Sequence, residues 1–201
     1  YKIFAELLKL IRDDIKIIIC PGNHDALRLA EPQPLLDKKY SNCIYDLPNV
    51  FIVTNPSLIN IHSSKDFTGF DVLIYHGSSY DYYADKVDAI RFNSSDISNR
   101  YEHVMKLLLK KRHLAPTHES TLRIPNPDND FLVIDKVPDF FVSGHVHNIA
   151  VTQLGKTTNI ISGTWIAQTP YQDKFGHVSQ PGKIVVVNLN TREAKVMKFV
   201  E

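Results

Sequence analysis

Apolar positions along the chain follow two spacings in turn, which predicts helices interleaved with strands. Ile3, Leu7, Leu8 and Ile11 fall on one helical face, so residues 2–12 read as a helix. Residues 16–20 (KIIIC) form a short apolar run stopped by Pro21-Gly22, the pattern of a buried strand. Residues 50–53, 58–61 and 71–75 read as further strands. Ile97, Tyr101, Val104, Met105 and Leu108 recur at helical spacing, predicting a helix over 96–112 with Asp96 near its N-cap. Pro116, Pro125, Pro127 and the polar residues around them mark 116–130 as a loop. After it, residues 131–134, 140–143, 150–154, 159–162, 183–188 and 194–199 read as strands, with Asn190-Thr191 turning the last pair. No linker, repeat or low-complexity tract interrupts the chain. The expected fold is one α/β domain over residues 1–201, a sheet sandwich flanked by helices.

Composition changes this picture little. The chain has 201 residues, 43% hydrophobic and 22% charged, which suits a soluble protein with a sizeable core. Its net charge of +1 neither demands nor excludes a nucleic-acid partner. No apolar run approaches the roughly 18 residues of a membrane span, and no signal peptide is recognisable. The chain opens at Tyr1 directly into the first helix, which reads as a fragment of a longer sequence. Cys20 ends a strand as a small buried thiol, and with Cys43 it makes no disulfide framework, so a cytoplasmic location is expected.

The candidate chemistry lies where apolar strands end in Gly and His. Residues 17–20 lead into Pro21-Gly22-Asn23-His24-Asp25, residues 72–75 into His76-Gly77, and residues 140–143 into Gly144-His145-Val146-His147. Loops at the carboxyl ends of strands meet in a crevice, the usual ligand site of an α/β sheet. Alone, each motif is an ordinary turn or a structural histidine. Together and in this order they deliver imidazoles and an amide oxygen, donors that suit Mn, Fe, Zn or Ni rather than Ca or Mg. The His145-Val146-His147 spacing lets its two imidazoles diverge towards different ions. His62, His103, His113, His118 and His177 lack the strand-Gly context and read as surface or loop residues. Lys106, Lys110, Lys111 and Arg112 read as a solvated helix face, Trp165 and Tyr171 as packing residues that could alternatively stack on a nucleobase, and Arg28 as a phosphate contact.

The three segments resemble the last three motifs of the calcineurin-like metallophosphoesterases: Gly-Asn-His-Asp, His-Gly and Gly-His-x-His. The resemblance implies two divalent ions, Mn2+ foremost. Asn23, His76 and His145 would bind one and His147 the other. His24 would be the acid that protonates the leaving oxygen, with Asp25 orienting its ring. Imidazole titrates near neutral pH and suits that task. The family's first two motifs, Asp-x-His and Gly-Asp-x-x-Asp, are not found. Their absence reads as an N-terminal part missing from this chain, which alone would then be inactive.

Further segments resemble the small subunits of archaeal family D DNA polymerases: Arg28 with Ala30-Glu31-Pro32-Gln33-Pro34, residues 112–116, residues 133–139, and Ser162-Gly163-Thr164-Trp165 with Ala167-Gln168-Thr169. This resemblance implies a proofreading 3′-to-5′ exonuclease that acts on DNA beside a large polymerase subunit. The alternatives are a metallophosphoesterase acting on nucleotides or phosphoproteins, and a non-catalytic scaffold for the large subunit.

Overall fold

The computed structural model describes residues 1–92, 97–174 and 178–199. In chain order its elements are α1 (Lys2–Leu8), β1 (Ile17–Ile19), α2 (Lys38–Tyr45), β2 (Val50–Ile52), β3 (Ser57–Ile61), β4 (Phe70–Tyr75), α3 (Tyr80–Lys86), α4 (Asp88–Arg91) and α5 (Ile97–Lys111). A 3-10 turn at His118–Ser120 follows, then β5 (Phe140–Ser143), β6 (Ala150–Leu154), β7 (Thr157–Ile161), α6 (Pro170–Lys174), β8 (Lys183–Val187) and β9 (Ala194–Lys198).

The centre is a mixed five-stranded sheet ordered β3-β4-β5-β7-β6. Its strands β4, β5 and β7 run parallel, and β3 and β6 close the two edges antiparallel. Alternation along each strand assigns its two faces. Leu73, Tyr75, Phe141 and Ile161 point to one side, where they pack on Tyr80, Tyr83, Ile90, Tyr101, Val104, Met105 and Leu108 of α3, α4 and α5. Val72, Phe140 and Ile160 point to the other, against Val185 and Val187 of the β8–β9 hairpin. A separate parallel pair, β1–β2, packs its Ile17, Ile19, Val50 and Ile52 on Ala5 and Leu8 of α1 and Ile44 of α2. The expected α/β class and nine of the expected strands are therefore present, with ends moved by a residue or two.

Other expectations need correction. Residues 131–134 are not a strand: Val133 makes an isolated bridge to His113, while Leu132 and Ile134 turn inward. That alternation imitates a strand, but the backbone bonds run to Leu114 and Arg112 across a loop. The first helix stops at Leu8, burying Ala5 and Leu8 and leaving Ile3 and Leu7 exposed. The α5 stripe is as expected from Tyr101 to Leu108, whereas Asp96, the expected cap, lies outside the described residues. No helix among the described residues is long and apolar enough to cross a membrane. Cys20 and Cys43 are both free, and burial pushes the Cys20 thiol up to about 12.

Candidate metal centre

Because β4, β5 and β7 are parallel neighbours, their carboxyl ends emerge along one edge of the sheet. There Tyr75 pairs with Ser143, and Ser143 with Ile161. His76, Gly144 and Ser162 therefore leave the sheet side by side. The Gly144 amide donates to His76 O (3.1 Å), and the Ser162 amide to Ser143 O (2.7 Å). The loop after β1 reaches the same edge from the smaller sheet, held by Gln33 Nε2 donating to Gly22 O at 3.2 Å.

The loops enclose an open cleft of about 620 Å3 whose lining includes Asn23, His24, His76, His145 and His147. At its floor His76 Nε2 lies 2.8 Å from Asn23 Oδ1 and 3.1 Å from His145 Nδ1. Adjacent donors about 3 Å apart are what bonds of roughly 2.1 Å to a six-coordinate ion require. His76 Nε2 thus lies at such a spacing from each of the other two donors, and imidazole nitrogens with an amide oxygen suit a divalent transition metal chemically. Among the described residues no group of three or more His, Cys, Asp or Glu side chains is placed to hold a metal ion by itself. Burial, with help from His145, His24 and His147, pushes His76 down to about 3, so its ring is neutral at physiological pH and keeps a lone pair to offer. His147 is lowered as well, chiefly by burial.

His145 and His147 take left-handed backbone angles, φ 66° and 55°. Such angles are costly for residues with a Cβ and persist where surrounding structure imposes them. Here buried Val146 anchors the turn, and the imidazoles separate: His145 faces His76, while His147 Nδ1 meets Gln172 Nε2 of α6 at 2.8 Å. Gly22 is needed for a different reason. A Cβ there would lie 2.6 and 2.8 Å from atoms of the His76 ring. Gly22→Ala is expected to push that ring aside and weaken Mn2+ binding at least about tenfold, or 1.4 kcal/mol, with little change in Tm. Titration with Mn2+ beside thermal unfolding checks it; unchanged affinity would mean that His76 yields without cost.

Behind the cleft lies a buried polar network. The His76 amide donates to Asn55 Oδ1 (2.8 Å), and Asn55 Nδ2 donates to Gln33 Oε1 (2.8 Å) and Glu31 Oε1 (3.1 Å). Glu31, fully buried, also accepts from Ser78 Oγ and Tyr75 Oη, each at 3.0 Å. Glu31 and Gln33 thus support, through Asn55, the strand end that carries His76. Burial raises the Glu31 carboxyl, opposed by hydrogen bonds from Thr121, Ser78, Tyr75 and Asn55. A carboxyl raised in the folded state binds its proton more tightly there. Its contribution to stability is whole below the unfolded value near about 4.3 and is lost as pH rises through the folded value. Glu31→Gln cannot ionise, so its stability relative to the wild type is expected to improve as pH rises through that window. Unfolding curves from about pH 4 to 8 test this; a pH-independent difference would contradict it.

The remaining site candidates divide. His24 is exposed and lines the cleft. Asp25 does not orient the His24 ring: its Oδ1 accepts from Tyr1 Oη (2.7 Å) and its Oδ2 from the Gly22 amide (2.8 Å). A carboxylate so close in sequence serves the loop's own backbone instead, clamping the turn that presents Asn23 and His24. Arg28 is not part of the cleft lining; its Nη2 donates to Pro32 O at 2.7 Å, closing its own loop. Arg112 is likewise taken, by the carbonyls of Ile134 and Asp135. His113 is structural, paired with Asp130 and the Ala115 amide. His177 and the Tyr171 side chain lie outside the described residues. Two lining residues carried no signal in the sequence. Asp81, at the start of α3, accepts from Tyr101 Oη (2.8 Å) and lies 3.6 Å from His145 Nε2. Gln172 holds His147, and both reach the cleft only because distant segments pack there.

Comparison with known proteins follows the same lines. The family model for the DNA polymerase alpha/epsilon B-subunit matches residues 1–150. The DNA polymerase II small subunit of Methanothermobacter thermautotrophicus is 37% identical over 201 residues, covering 100% of this chain and 38% of that protein. The small subunit of Pyrococcus abyssi is 37% identical over 200 residues, covering 99% and 30%. The chain thus spans about a third of the length of these relatives. Among solved structures, a Vps29 mutant from Entamoeba histolytica shows 11% identity and a TM-score of 0.34, covering 92% of this chain and 98% of that one. A likeness that weak adds nothing to the family assignment. With its matched residues running through the Asn-His, His-Gly and Gly-His-x-His loops, the chain belongs to the DNA polymerase alpha/epsilon B-subunit family, and along its full length it is similar to archaeal DNA polymerase II small subunits.

Proposed function

We propose that this chain carries the hydrolytic site of a DNA polymerase small subunit, a 3′-to-5′ exonuclease centre that trims DNA beside the large catalytic subunit. The observation that supports this most directly is the meeting of Asn23 Oδ1, His76 Nε2 and His145 Nδ1 at the floor of the cleft, at 2.8 and 3.1 Å. Asn23, His76 and His145 would hold one divalent ion, Mn2+ foremost with Fe, Zn or Ni as alternatives, and His147 would contribute to a second. Bound there, such ions neutralise phosphate charge and make water acidic enough to react near neutral pH.

The chain's own residues supply position and proton transfer. His24 shares the Asn23 loop and opens into the same cleft, so its imidazole can hand a proton to the departing 3′ oxygen. Asp25 acts through the loop, fixing the Gly22 turn rather than the ring. The Glu31–Asn55 pair holds the main chain at His76. Family membership and the likeness to polymerase small subunits support DNA as substrate and the large subunit as partner.

The test is the native small subunit with 5′-labelled single-stranded DNA and Mn2+. Stepwise shortening from the 3′ end, stopped by a chelator, is expected. A folded, metal-loaded protein that leaves DNA intact would instead be a scaffold. Preferential hydrolysis of nucleotides or phosphopeptides would place it among other metallophosphoesterases.

A further inference from the structure

We propose that Trp165 is a stacking shelf for an unpaired base of a single-stranded nucleic acid whose phosphate lies in the histidine cleft. The substrate class follows from the reading above; the shelf itself rests on separate observations.

Trp165 is the chain's single tryptophan, and it is 68% exposed. Among the described residues the indole is therefore packed on one side at most, unlike a core tryptophan. The loop that carries it leaves the carboxyl end of β7, beside β5 and the Gly144–His147 turn. The next residue, Ile166, already lines the cleft, as does Thr169. Trp165 is not itself part of that lining; the parallel sheet brings its loop to within one residue of the cleft.

That loop is held from several sides. A Cβ at Gly163 would lie 2.3 Å from Lys183 O, so the chain is pressed against β8. The Gly182 amide donates to Thr164 O (2.8 Å), the Ile166 amide to Thr164 Oγ1 (3.1 Å), and Ser179 Oγ to Ile166 O (3.2 Å). Phe199, itself 56% exposed, places its ring 5.9 Å from the indole at 53°. Aromatic surface held open by a fixed backbone needs little ordering on binding, which favours a flat partner. A nucleobase is flat, and base–aromatic stacking tolerates any sequence, as an enzyme that trims arbitrary ends requires. The cleft one residue away selects the occupant: its donors suit ions that neutralise a phosphodiester, which carries its base alongside.

The experiment uses the 201-residue chain, its fold first checked by circular dichroism, loaded with Mn2+ and given hydrolysis-resistant phosphorothioate strands, with fluorescence from Trp165 alone. A short oligothymidylate is expected to quench it, whereas an abasic oligonucleotide of the same length is not. Trp165→Ala should weaken oligothymidylate binding about 5- to 150-fold, the equivalent of the ~1–3 kcal/mol of a base–aromatic stack at ~1.4 kcal/mol per tenfold. Trp165→Phe should restore most of it. Circular dichroism guards against misfolding. Equal quenching by the abasic strand, equal binding by Trp165→Ala, or no binding of oligothymidylate by the wild type would each overturn the shelf. So would a Trp165→Ala variant that keeps DNA binding and loses its hold on the large subunit, which would make the patch a protein contact. The two readings fail separately. A native subunit that stacks DNA without hydrolysing it sinks the activity and leaves the shelf. Hydrolysis with an unchanged KM in Trp165→Ala does the reverse.

Discussion

On the proposed exonuclease reading, replacing His24 with alanine is expected to lower DNA hydrolysis by the native small subunit about 10²–10⁴-fold and to leave its metal content unchanged, the range expected for loss of a general acid. The reasoning is geometric. His24 lines the same cleft, near enough to help lower His76, but the contacts that join Asn23 Oδ1, His76 Nε2 and His145 Nδ1 do not involve its ring. The 3′ alkoxide is a poor leaving group and needs a proton as its bond to phosphorus breaks. A nitrophenolate needs none. A bis-nitrophenyl phosphodiester should therefore lose far less rate in the variant than DNA does. Equal losses on both substrates would remove the acid role. Loss of metal from the variant would make His24 a ligand.

On the proposed metal reading, Mn2+ titration of the 201-residue chain is expected to yield one tight site, and His76→Ala is expected to abolish it. His76 Nε2 is the shared vertex of the trio, so removing it leaves Asn23 and His145 without a common neighbour. The loss should exceed the roughly 10–100-fold that follows removal of a supporting partner. A second ion faces a larger obstacle. Two dications roughly 3.5–4 Å apart repel by on the order of 18 kcal/mol at an effective dielectric near 20. None of Asn23, His76, His145 and His147 can carry a negative charge as a ligand, so they offset none of that. The carboxylate in the cleft lining is Asp81, already engaged by Tyr101. Two tight sites in the wild type, reduced to one by Asp81→Asn, would show that Asp81 bridges or binds an ion and would overturn the one-ion count. Binding that survives His76→Ala would place the metal elsewhere.

Much of the site was legible in the sequence because its ligand candidates sit at strand ends. A short apolar run followed by Gly and His specifies both a buried strand and the loop beyond it. Periodicity thus located Asn23, His76, His145 and His147 before any packing was known. The same local logic placed nine strands and the Tyr101–Leu108 face of α5. It failed at residues 131–134, where alternation of Leu132 and Ile134 arises in a loop bonded to Leu114 and Arg112. It also failed at Asp25 and Arg28, whose polar groups had nearer partners in their own loop.

Only the tertiary structure decided which way these loops converge. The parallel order β4-β5-β7 puts His76, His145 and the Trp165 loop on one edge, and strand order cannot be read from periodicity. Packing alone brought in Asp81 from α3 and Gln172 from α6, and it made Glu31 a buried support for His76 through Asn55. It also left Trp165 in solvent where an indole would ordinarily be buried. The sequence by itself determined the strand ends and marked the candidate donors just beyond them, because hydrophobic spacing and turn chemistry act over a few residues. Their spatial arrangement, their supports and the exposed indole depend on contacts between segments 20 to 70 residues apart, which local sequence does not encode.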